Sequence, residues 1–443
     1  MEEKKLNPVR DQHVLLGAER KQISNGVNQI EIGISQIGIE VPRTYISVEK
    51  IANHRGMDPE KATKGLKVKR ARIPYEESLP ELAVRAIKKI EYRDVKTFFF
   101  ATESNPDASK PEIALKTLEI LGLHNVLCIP TTFACLGGIQ SVVAACKISA
   151  GTKEPVIVVA VDRAIYQENE PEAEVTQGSA AVAARIEPEA ELLSLDYKNV
   201  GVYMADIDDF KIPWHFYPMP QLDDRLIKIT YLYCVKQSLL DWENNNREIV
   251  ESLNEKGQTV IDYLDFLDFH CPFLKFAEWA TTVLWQHYKT KDKSRPSLKE
   301  VMAKPELYKQ YKEKIDQVRA IPEFQKFYQQ KVFSVLGKYH PEIGNSYNVN
   351  VFIGLIAALE QASKGEVIGI CGFGSGAGSL AIKGQVLING FQSDLREQLE
   401  QGKELTMEEY KQWREKEMNP PPLYTKFKNK FSSHEISKNF KKN

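Results

Sequence analysis

The stretch that decides the fold reads Thr132-Phe133-Ala134-Cys135-Leu136-Gly137-Gly138. A short apolar run at 126–130 precedes it, and apolar residues at helical spacing follow it as far as Gly151. The pattern predicts a cysteine at a strand-to-helix junction, where unpaired backbone N–H groups and the helix dipole favour the thiolate. A buried cysteine in front of a packed helix explains the stretch equally well. The rest of the chain decides between the two.

The composition is that of a large folded protein without a strong charge. The 443 residues, 42% of them hydrophobic, can bury a large core. A net charge of −1 argues against nucleic acid or a membrane surface as a partner. No apolar run approaches the roughly 18 residues that cross a bilayer, and residues 1–27 lack the apolar core of a signal peptide.

Six scattered cysteines without a C-x-x-C pair indicate neither zinc nor disulfides, and no His or Asp pairs stand at metal-ligand spacing. Several of these cysteines lie in apolar runs, which suits a reducing compartment. We therefore expect a cytoplasmic protein with no metal and no bound cofactor.

Strand and helix patterns alternate along the chain, which predicts the α/β class with a mixed, largely buried sheet. Continuous apolar runs at 97–101, 156–161 and 367–371 are typical of strands covered on both faces. We expect two similar halves, at 28–190 with Glu103 and Cys135, and at 191–395 with His270. The second half contains a charged helical insertion at 288–340. An N-terminal arm at 1–27 and a charged, solvated C-terminal tail at 396–443 flank the two halves.

Three side chains stand at strand ends where chemistry is expected. Glu103 follows a buried strand, so partial desolvation would raise its pKa and suit it to general acid/base work, unless it is a loop acid in water. Cys135 and His270 each follow a strand, one in each half, and a weak two-fold repeat would bring the two junctions together. His270 could equally be a satisfied core histidine. Lys275, one turn later, suits the phosphates of an anionic thioester.

Two further stretches fit such a site. Asn345 is either a helix N-cap or a donor to a substrate carbonyl or to His270. The glycine-rich segment 372–379 lacks the Gly-Lys-Ser/Thr ending of a phosphate-binding P-loop. We interpret it as a tight turn whose N–H groups face a site, where the Cys135 N–H would complete an oxyanion hole.

Six short motifs follow one another in order. They are Ala-Thr-Glu-Ser-x-x-Asp-Ala at 101–108, Phe-Ala-Cys at 133–135, Thr-Gln-Gly at 176–178, Phe-His-x-Pro-Phe-x-Lys at 269–275, Gly-Asn-x-Tyr at 344–347 and Gly-x-Gly-Ser-Gly at 372–376. In this order the chain resembles the hydroxymethylglutaryl-CoA (HMG-CoA) synthase family of the thiolase superfamily. The resemblance implies a thiolase-like five-layered α-β-α-β-α fold of two similar halves with a helical insertion, usually in a homodimer.

The resemblance also implies an acyltransferase that joins acetyl-CoA to acetoacetyl-CoA and feeds mevalonate and isoprenoid synthesis. Cys135 matches the nucleophile that takes the acetyl group, Glu103 the acid/base that removes its methyl proton, and His270 a residue near the acceptor ketone. Lys275 matches a lysine near the CoA phosphates. The remaining matched positions line the substrate site: Asn345, Ser375, Gly374, Tyr166 and Lys211.

The chain departs from the family pattern beside these residues. Lys211 stands where the family commonly has arginine, Leu136 replaces a tyrosine, Ser179-Ala180 replaces Ala-Gly, and Asn348 replaces a threonine. A point-charge ammonium holds a carboxylate or phosphate differently from a guanidinium, so these departures put the substrate in question more than the reaction.

Three alternatives stay open. The first is the relative that performs β-branching on polyketides with an acyl carrier protein, for which the lysine-rich segment 425–442 is a candidate docking site. The second is a ketoacyl-synthase-like condensation, against which Glu103 argues. The third is a non-catalytic thiolase-fold subunit of an acyl-CoA complex.

Overall fold

The structure is a computed structural model, and it describes residues 31–107, 109–212, 219–290 and 305–418. The strands in these ranges are β1 (Ile32–Glu40), β2 (Thr44–Ser47), β3 (Arg70–Ile73), β4 (Thr97–Ala101), β5 (Leu127–Thr131), β6 (Val156–Arg163), β7 (Ser179–Pro188), β8 (Leu193–Leu195), β9 (Gly201–Met204), β10 (Phe210–Lys211), β11 (Gln221–Leu222), β12 (Phe266–Phe269), β13 (Val367–Gly374), β14 (Gly378–Val386) and β15 (Lys403–Glu404).

The α-helices in the same ranges are α1 (Val48–His54), α2 (Leu79–Ile87), α3 (Glu112–Leu121), α4 (Gly137–Thr152), α5 (Pro171–Glu174), α6 (Asp224–Asn245), α7 (Arg247–Glu255), α8 (Val260–Tyr263), α9 (Leu274–Lys289), α10 (Pro305–Arg319), α11 (Pro322–Tyr328), α12 (Ser334–Tyr339), α13 (Asn350–Leu359), α14 (Leu395–Glu400) and α15 (Met407–Met418). Short π-helical turns lie at Lys61–Gly65 and Gln329–Phe333, and 3-10 turns at His340–Glu342 and Tyr347–Val349.

One ten-stranded sheet runs through the described part of the chain. Its order is β12-β13-β14-β8-β1-β7-β6-β4-β5, with β9 paired to β14. β4 is parallel to both β5 and β6, and β12 is parallel to β13, as expected where a connection containing helices returns the chain to the sheet. The three-residue strand β8 pairs with β1 and with β14, so it joins the strands of the two halves.

The strands at the three predicted apolar runs, β4, β6 and β13, are buried on both faces. In β4, Phe98 and Phe100 face one apolar cluster, which includes α2 and α3, while Phe99 faces the central core. This alternation follows from the two-residue period of a strand. Helices therefore cover both faces of this part of the sheet.

Helix α4 lies at the centre of the molecule. It packs on β4, β6 and β7, and its N-terminal end contacts β13, where a Cβ at Gly374 would come within 2.8 Å of Leu136. Helix α13 packs on β12 and β13 from the same central layer, and α6 covers the outer face of β9, β13 and β14. Together with α2 and α3 on the other outer face, the layers follow the expected α-β-α-β-α order.

The central position of α4 explains an apolar stretch that the sequence expectation overlooked. By length and composition, the helix Ala134–Thr152 could cross a membrane. From the sequence we expected no apolar run of sufficient length. Since 61% of this window is buried inside the protein, the apolar character is accounted for by packing between the two halves.

The chain from residue 396 differs from the predicted solvated tail. α14, β15 and α15 are folded, and β15 pairs parallel with β2. Tyr410 and Trp413 are buried in an apolar cluster with α1 and β2, and Arg414 is also buried. The average charge of the segment does not reveal this buried helix face, because its few apolar residues are separated by charged ones at helical spacing. Residues 419–443 lie outside the described residues.

The charged stretch 288–340 is helical where the structure describes it, in α10, α11 and α12. It packs on the second half: Arg319 pairs with Glu278 of α9 at 2.9 Å, and Phe324 is fully buried. Residues 291–304 and the N-terminal arm at 1–27 lie outside the described residues. The unit boundaries 28–190, 191–395 and 288–340 stay predictions.

Candidate active site

Cys135 lies at the junction that the sequence predicts, between the end of β5 and the start of α4. The residue before it, Ala134, has a φ of 40°, a left-handed conformation that non-glycine residues rarely adopt and that is often found beside reactive groups. Cys135 is 9% exposed and packs in a small apolar cluster with Ala164, Tyr166 and Tyr347. The ring of Phe210 lies against the same cluster.

Glu103 and Cys135 form a directly interacting pair. Burial raises the pKa of Glu103 to about 8, the charge of Asp162 adds to this rise, and a hydrogen bond with the Cys135 thiol opposes it. The Glu103 Oε1 atom is enclosed and has no hydrogen-bond partner among the described residues. The expected desolvation of Glu103 at the end of its strand is therefore confirmed.

The thiol of Cys135 is neutral in this environment. Burial, and next the facing Glu103 carboxyl, hold the pKa of Cys135 well above its ordinary value. The prediction that the junction favours the thiolate is therefore wrong for the free protein, because desolvation and a facing carboxyl outweigh the helix terminus. Nucleophilic attack then requires that the thiol proton pass to a base, and Glu103 is in position to take it.

Asp162, which the sequence interpretation missed, organises this end of the sheet. Its Oδ1 accepts hydrogen bonds from Thr102 Oγ1 (2.9 Å), the Glu103 N–H (2.7 Å) and the N–H and Oγ of Ser104 (3.2 and 3.0 Å). Its Oδ2 accepts from the N–H and Nδ2 of Asn348, at 3.1 and 2.8 Å. Burial raises the pKa of Asp162 to about 6. The available signal was a carboxylate directly after the apolar run 156–161.

Asn348 joins the Asp162 carboxylate to the nucleophile's helix. Its Oδ1 accepts the N–H of Gly138 in the first turn of α4, at 2.8 Å. Glu103, Cys135 and the loop around Asn348 are thus held by one buried network. The departure at Asn348 contributes to the site's support, whereas Leu136 is fully buried against the glycine loop and packs away from solvent.

Tyr166 and Asn345 meet beside Cys135, as the resemblance implies for pocket-lining residues. Asn345 Nδ2 donates to the Tyr166 hydroxyl at 3.2 Å, and the rings of Tyr166 and Tyr347 pack edge to face at 6.4 Å. Asn345 Oδ1 accepts from the N–H of Tyr347 and from Asn350 Nδ2. Asn345 therefore orients Tyr166, and none of its described hydrogen bonds reaches His270.

Gly344 places Asn345 in this position. Its φ of +86° lies in the left-handed region, and a Cβ there would come within 2.0 Å of the Gln177 carbonyl oxygen. Only glycine fits both constraints. The N–H of Asn345 then donates to the Thr176 carbonyl at 2.7 Å, which joins two of the sequence motifs.

His270 lies directly after β12 and is 1% exposed. Its N–H donates to the Cys371 carbonyl of β13, and its carbonyl accepts from the Tyr231 hydroxyl, both at 2.8 Å. Burial, and to a lesser extent His340, lowers the pKa of His270 to about 3, so the ring is neutral. Nδ1 has no hydrogen-bond partner among the described residues, which argues against a satisfied core histidine.

The glycine loop between β13 and β14 connects the two halves of the site. Gly374 lies so close to the main chain of Phe133 that a Cβ at Gly374 would be 2.8 Å from the Phe133 carbonyl oxygen. His270 lies beside the same strand, β13, at Cys371. Asp209 Oδ1 accepts the Gly376 N–H at 2.8 Å, and Ala377 donates to the Ala205 carbonyl. These two N–H groups are therefore engaged in holding the loop. The oxyanion-hole role of the Cys135 N–H, and substrate contact by Ser375, stay predictions.

Lys275 is not a member of the Cys135 cluster, and the other predicted cationic contact, Lys211, is described only in its main chain. Lys275, in the first turn of α9, places its ammonium over the Trp279 ring at 5.4 Å, and burial lowers its pKa. Lys211 belongs to β10 by its main chain, and its side chain lies outside the described part of the structure. In the described ranges no group of three or more His, Cys, Asp or Glu side chains is placed to hold a metal ion.

A protein-family profile matches more than half of the chain. The sequence profile of "Hydroxymethylglutaryl-coenzyme A synthase C terminal" matches residues 193–443. The chain belongs to the HMG-CoA synthase family. The resemblance stated from the six motifs is thereby confirmed.

Individual relatives agree over most of the chain. The HMG-CoA synthase of Enterococcus faecalis is 27% identical over 398 residues, covering 86% of this chain and 90% of the relative. That of Haloferax volcanii is 26% identical over 385 residues, covering 80% and 82%.

Solved structures of HMG-CoA synthases share the fold. "MvaS in complex with 3-hydroxy-3-methylglutaryl coenzyme A" has a TM-score of 0.70 at 23% identity, covering 87% of this chain and 92% of that one. The curacin-pathway HMG synthase with its apo donor-ACP has a TM-score of 0.71 at 21% identity, covering 88% and 89%. The thiolase-like fold expected for the family is confirmed.

Proposed function

We propose that the protein is an HMG-CoA synthase, which condenses acetyl-CoA with acetoacetyl-CoA through an acetyl-Cys135 intermediate. The observation that carries the proposal is the buried pair of Cys135 and Glu103, enclosed with Tyr166 and held by the Asp162 network. A thiol nucleophile beside a carboxyl of raised pKa is suited to both acyl transfer and removal of a proton from carbon. Family membership narrows this chemistry to HMG-CoA synthesis.

In the first step the Cys135 sulfur attacks the acetyl carbonyl. A bond forms between sulfur and the acetyl carbon, the bond to the CoA sulfur breaks, and the thiol proton passes through Glu103 to the departing CoA sulfur. The raised pKa of Glu103, about 8, makes its carboxylate a competent acceptor for this proton. Enclosure by Tyr166, Tyr347 and Phe210 limits the access of water to the thioester.

In the second step Glu103 removes a methyl proton from acetyl-Cys135. The enolate carbon attacks the ketone carbon of acetoacetyl-CoA, and the alkoxide, which forms beside His270, takes the proton that Glu103 holds. A neutral imidazole is suited to a hydrogen bond with that oxygen, and the unpartnered Nδ1 leaves the ring free to make one. Water then cleaves the thioester to Cys135, which releases HMG-CoA.

These steps need no metal and no bound cofactor, because a sulfur nucleophile, a carboxylate base and CoA thioesters supply every group that reacts. Lys275 is proposed to lie near the CoA phosphates, and Asn345, Gly374, Ser375, Tyr166 and Lys211 to border the acyl groups. The product is the precursor from which mevalonate is made, and we propose a cytoplasmic location for this reaction.

The test incubates purified protein with acetyl-CoA and acetoacetyl-CoA and follows Cys135 and the product by mass spectrometry. We expect an acetyl mass increase on Cys135 and formation of HMG-CoA, with Cys135→Ala showing neither. Acetylation at another cysteine, or an unmodified protein that makes no product, would remove Cys135 from the mechanism.

The same assay distinguishes HMG-CoA synthesis from the carrier-protein alternative. The solved curacin-pathway HMG synthase binds a donor acyl carrier protein, whereas the candidate docking segment 425–442 of this chain lies outside the described residues. Acetylation of Cys135 without HMG-CoA formation would direct the search to a β-ketoacyl group on a carrier protein.

We also propose a homodimer, with β5 at the interface. β5 is the edge strand of the large sheet, and apolar side chains are exposed on it and on α3, at Leu127, Leu115 and Ile120. An exposed edge strand with an apolar border pairs readily with another strand. Analytical ultracentrifugation should show a dimer for the native protein and monomers for Leu127→Lys. An unchanged mass for this variant would move the interface elsewhere.

A further inference from the structure

The wall of the Cys135 cluster is one chain segment thick, and helix α15 lies on its other side. Ala164 and Tyr166 face the cluster around Cys135. Ile165, between them, faces the opposite way, into the apolar cluster that contains Tyr410 of α15. The alternation of these three side chains means that the segment has the acyl site on one side and the C-terminal helix on the other.

Arg414 holds this segment from the α15 side. Its Nη2 donates to the carbonyl oxygen of Tyr166 at 2.7 Å, and its Nη1 lies 3.2 Å from Glu174 Oε1. Arg414 is 2% exposed, so this guanidinium is enclosed where its hydrogen bonds are made. Tyr166 is thus fixed at two ends, by Arg414 at its carbonyl and by Asn345 at its hydroxyl.

Glu174, at the end of α5, anchors the guanidinium in turn. Glu174 is fully buried, accepts a hydrogen bond from the Tyr410 hydroxyl at 2.7 Å and pairs with Arg55 Nε at 2.7 Å. The fork of Arg414 therefore bridges two fixed oxygens, one on each side, a geometry that an ammonium cannot reproduce.

A cavity adjoins the side chain of Arg414, beside the segment. Its volume is about 390 Å³, and its lining includes Arg55, Glu168 and, on α15, Lys411, Arg414 and Met418. Because Arg414 both lines this cavity and bonds the Tyr166 carbonyl, removal of its side chain would open the cavity to the main chain of Tyr166.

We propose that Arg414 is a positioning residue that sets the acyl-chain selectivity of Cys135, by holding Tyr166 close enough to the sulfur to exclude groups longer than acetyl. The inference rests on the proposed function, since it concerns transfer of an acyl group from CoA to Cys135. In that step the sulfur–acyl bond forms, the bond to CoA sulfur breaks, and the thiol proton leaves with CoA. Arg414 touches none of these atoms.

The test measures the initial rates at which acetyl-CoA and propionyl-CoA modify Cys135, followed by mass spectrometry of the intact protein. One additional methylene in a close-fitting apolar pocket discriminates by about 10- to 200-fold. We expect the native protein to prefer acetyl within this range, and Arg414→Ala to lower the ratio of the two rates by about tenfold. Arg414→Lys keeps the charge without the fork and should fall between them.

The ratio distinguishes positioning from a purely structural role. Loss of folded protein lowers both rates in parallel and leaves their ratio unchanged, so an unchanged ratio in both Arg414 variants would overturn the inference. Lys416→Gln is the matched control: it removes an exposed positive charge from the same helix, α15, and should keep the ratio within about twofold.

A second control separates stability from selectivity. Tyr410→Phe removes the hydrogen bond to Glu174 and the one that Arg414 Nη1 donates at 3.4 Å, but it leaves the bond from Arg414 Nη2 to Tyr166. It should therefore lower the melting temperature and change the ratio less than Arg414→Ala does. A native protein that neither thioester acylates would remove the proposed function and this inference with it. A native protein that is acetylated at Cys135, together with unchanged ratios, would remove this inference alone.

Discussion

Replacing Glu103 by glutamine should stabilise the protein at alkaline pH while it stops the reaction. The folded-state pKa of Glu103, about 8, lies above its ordinary value of 4.5. Between these pH values the unfolded chain loses the proton and the folded protein keeps it, so stability falls as pH rises. At 1.36 kcal/mol for each pH unit, the interval from 4.5 to 8 corresponds to about 5 kcal/mol. Glutamine does not titrate and escapes this loss.

The assay is urea unfolding of both proteins at pH 5 and pH 8, followed by tryptophan fluorescence. Over these three pH units the free energy of unfolding of Glu103→Gln should gain about 4 kcal/mol relative to the native protein. The variant should also show little acylation of Cys135 and no HMG-CoA formation, because the proton acceptor is gone. Glu154→Gln, at an exposed glutamate, is the matched control and should show no such gain.

A relative stability that stays constant between pH 5 and pH 8 would refute the reasoning. Glu103 would then ionise in the folded protein as it does in water, which the burial of its carboxyl beside Asp162 does not permit. A variant that gains stability but retains turnover would instead confirm the electrostatics and remove Glu103 from the mechanism.

Two further predictions concern buried carboxyl groups and the residues they contact. Asp162→Asn removes a charge that raises the pKa of Glu103, so the pH at which kcat reaches half its maximum should move below about 8. An unmoved midpoint would show that Asp162 does not act on Glu103. Gly354→Ala should lower the melting temperature, because its Cβ would lie 1.9 Å from Asp268 Oδ1. This clash outweighs the roughly 1 kcal/mol of helix propensity that alanine adds. Gly151→Ala, with nothing within 4 Å, should gain that propensity instead.

The strand-to-helix junction at Cys135 was predictable because it rests on local signals: an apolar run, glycines, and helical spacing. The same applies to Glu103 and His270 at strand ends, and to the raised pKa of Glu103, since a carboxyl after a fully buried strand is desolvated. The state of Cys135 was not predictable in this way. Its protonation depends on which side chain faces it, and Glu103 is 32 residues away in sequence.

The inward face of α15 shows a second limit. Tyr410, Trp413 and Arg414 lie in a stretch so charged that composition indicates a tail, yet they are buried against α1 and the Tyr166 segment. Charge is counted over a window, whereas burial is set by a helix face and by the partner that covers it. The contact between Arg414 and Tyr166 spans 248 residues, a separation at which local pattern carries no information.

The sequence by itself determined the α/β class, the family and the three candidate reacting side chains, because each depends on residue types at short spacing. The tertiary structure alone decided how those side chains are arranged. Asp162 accepts hydrogen bonds from two distant segments, the glycine loop brings β13 to Cys135, and Arg414 supports Tyr166 from α15. These effects arise from desolvation and close contact between distant segments, and such contacts exist only once the two halves have packed around α4.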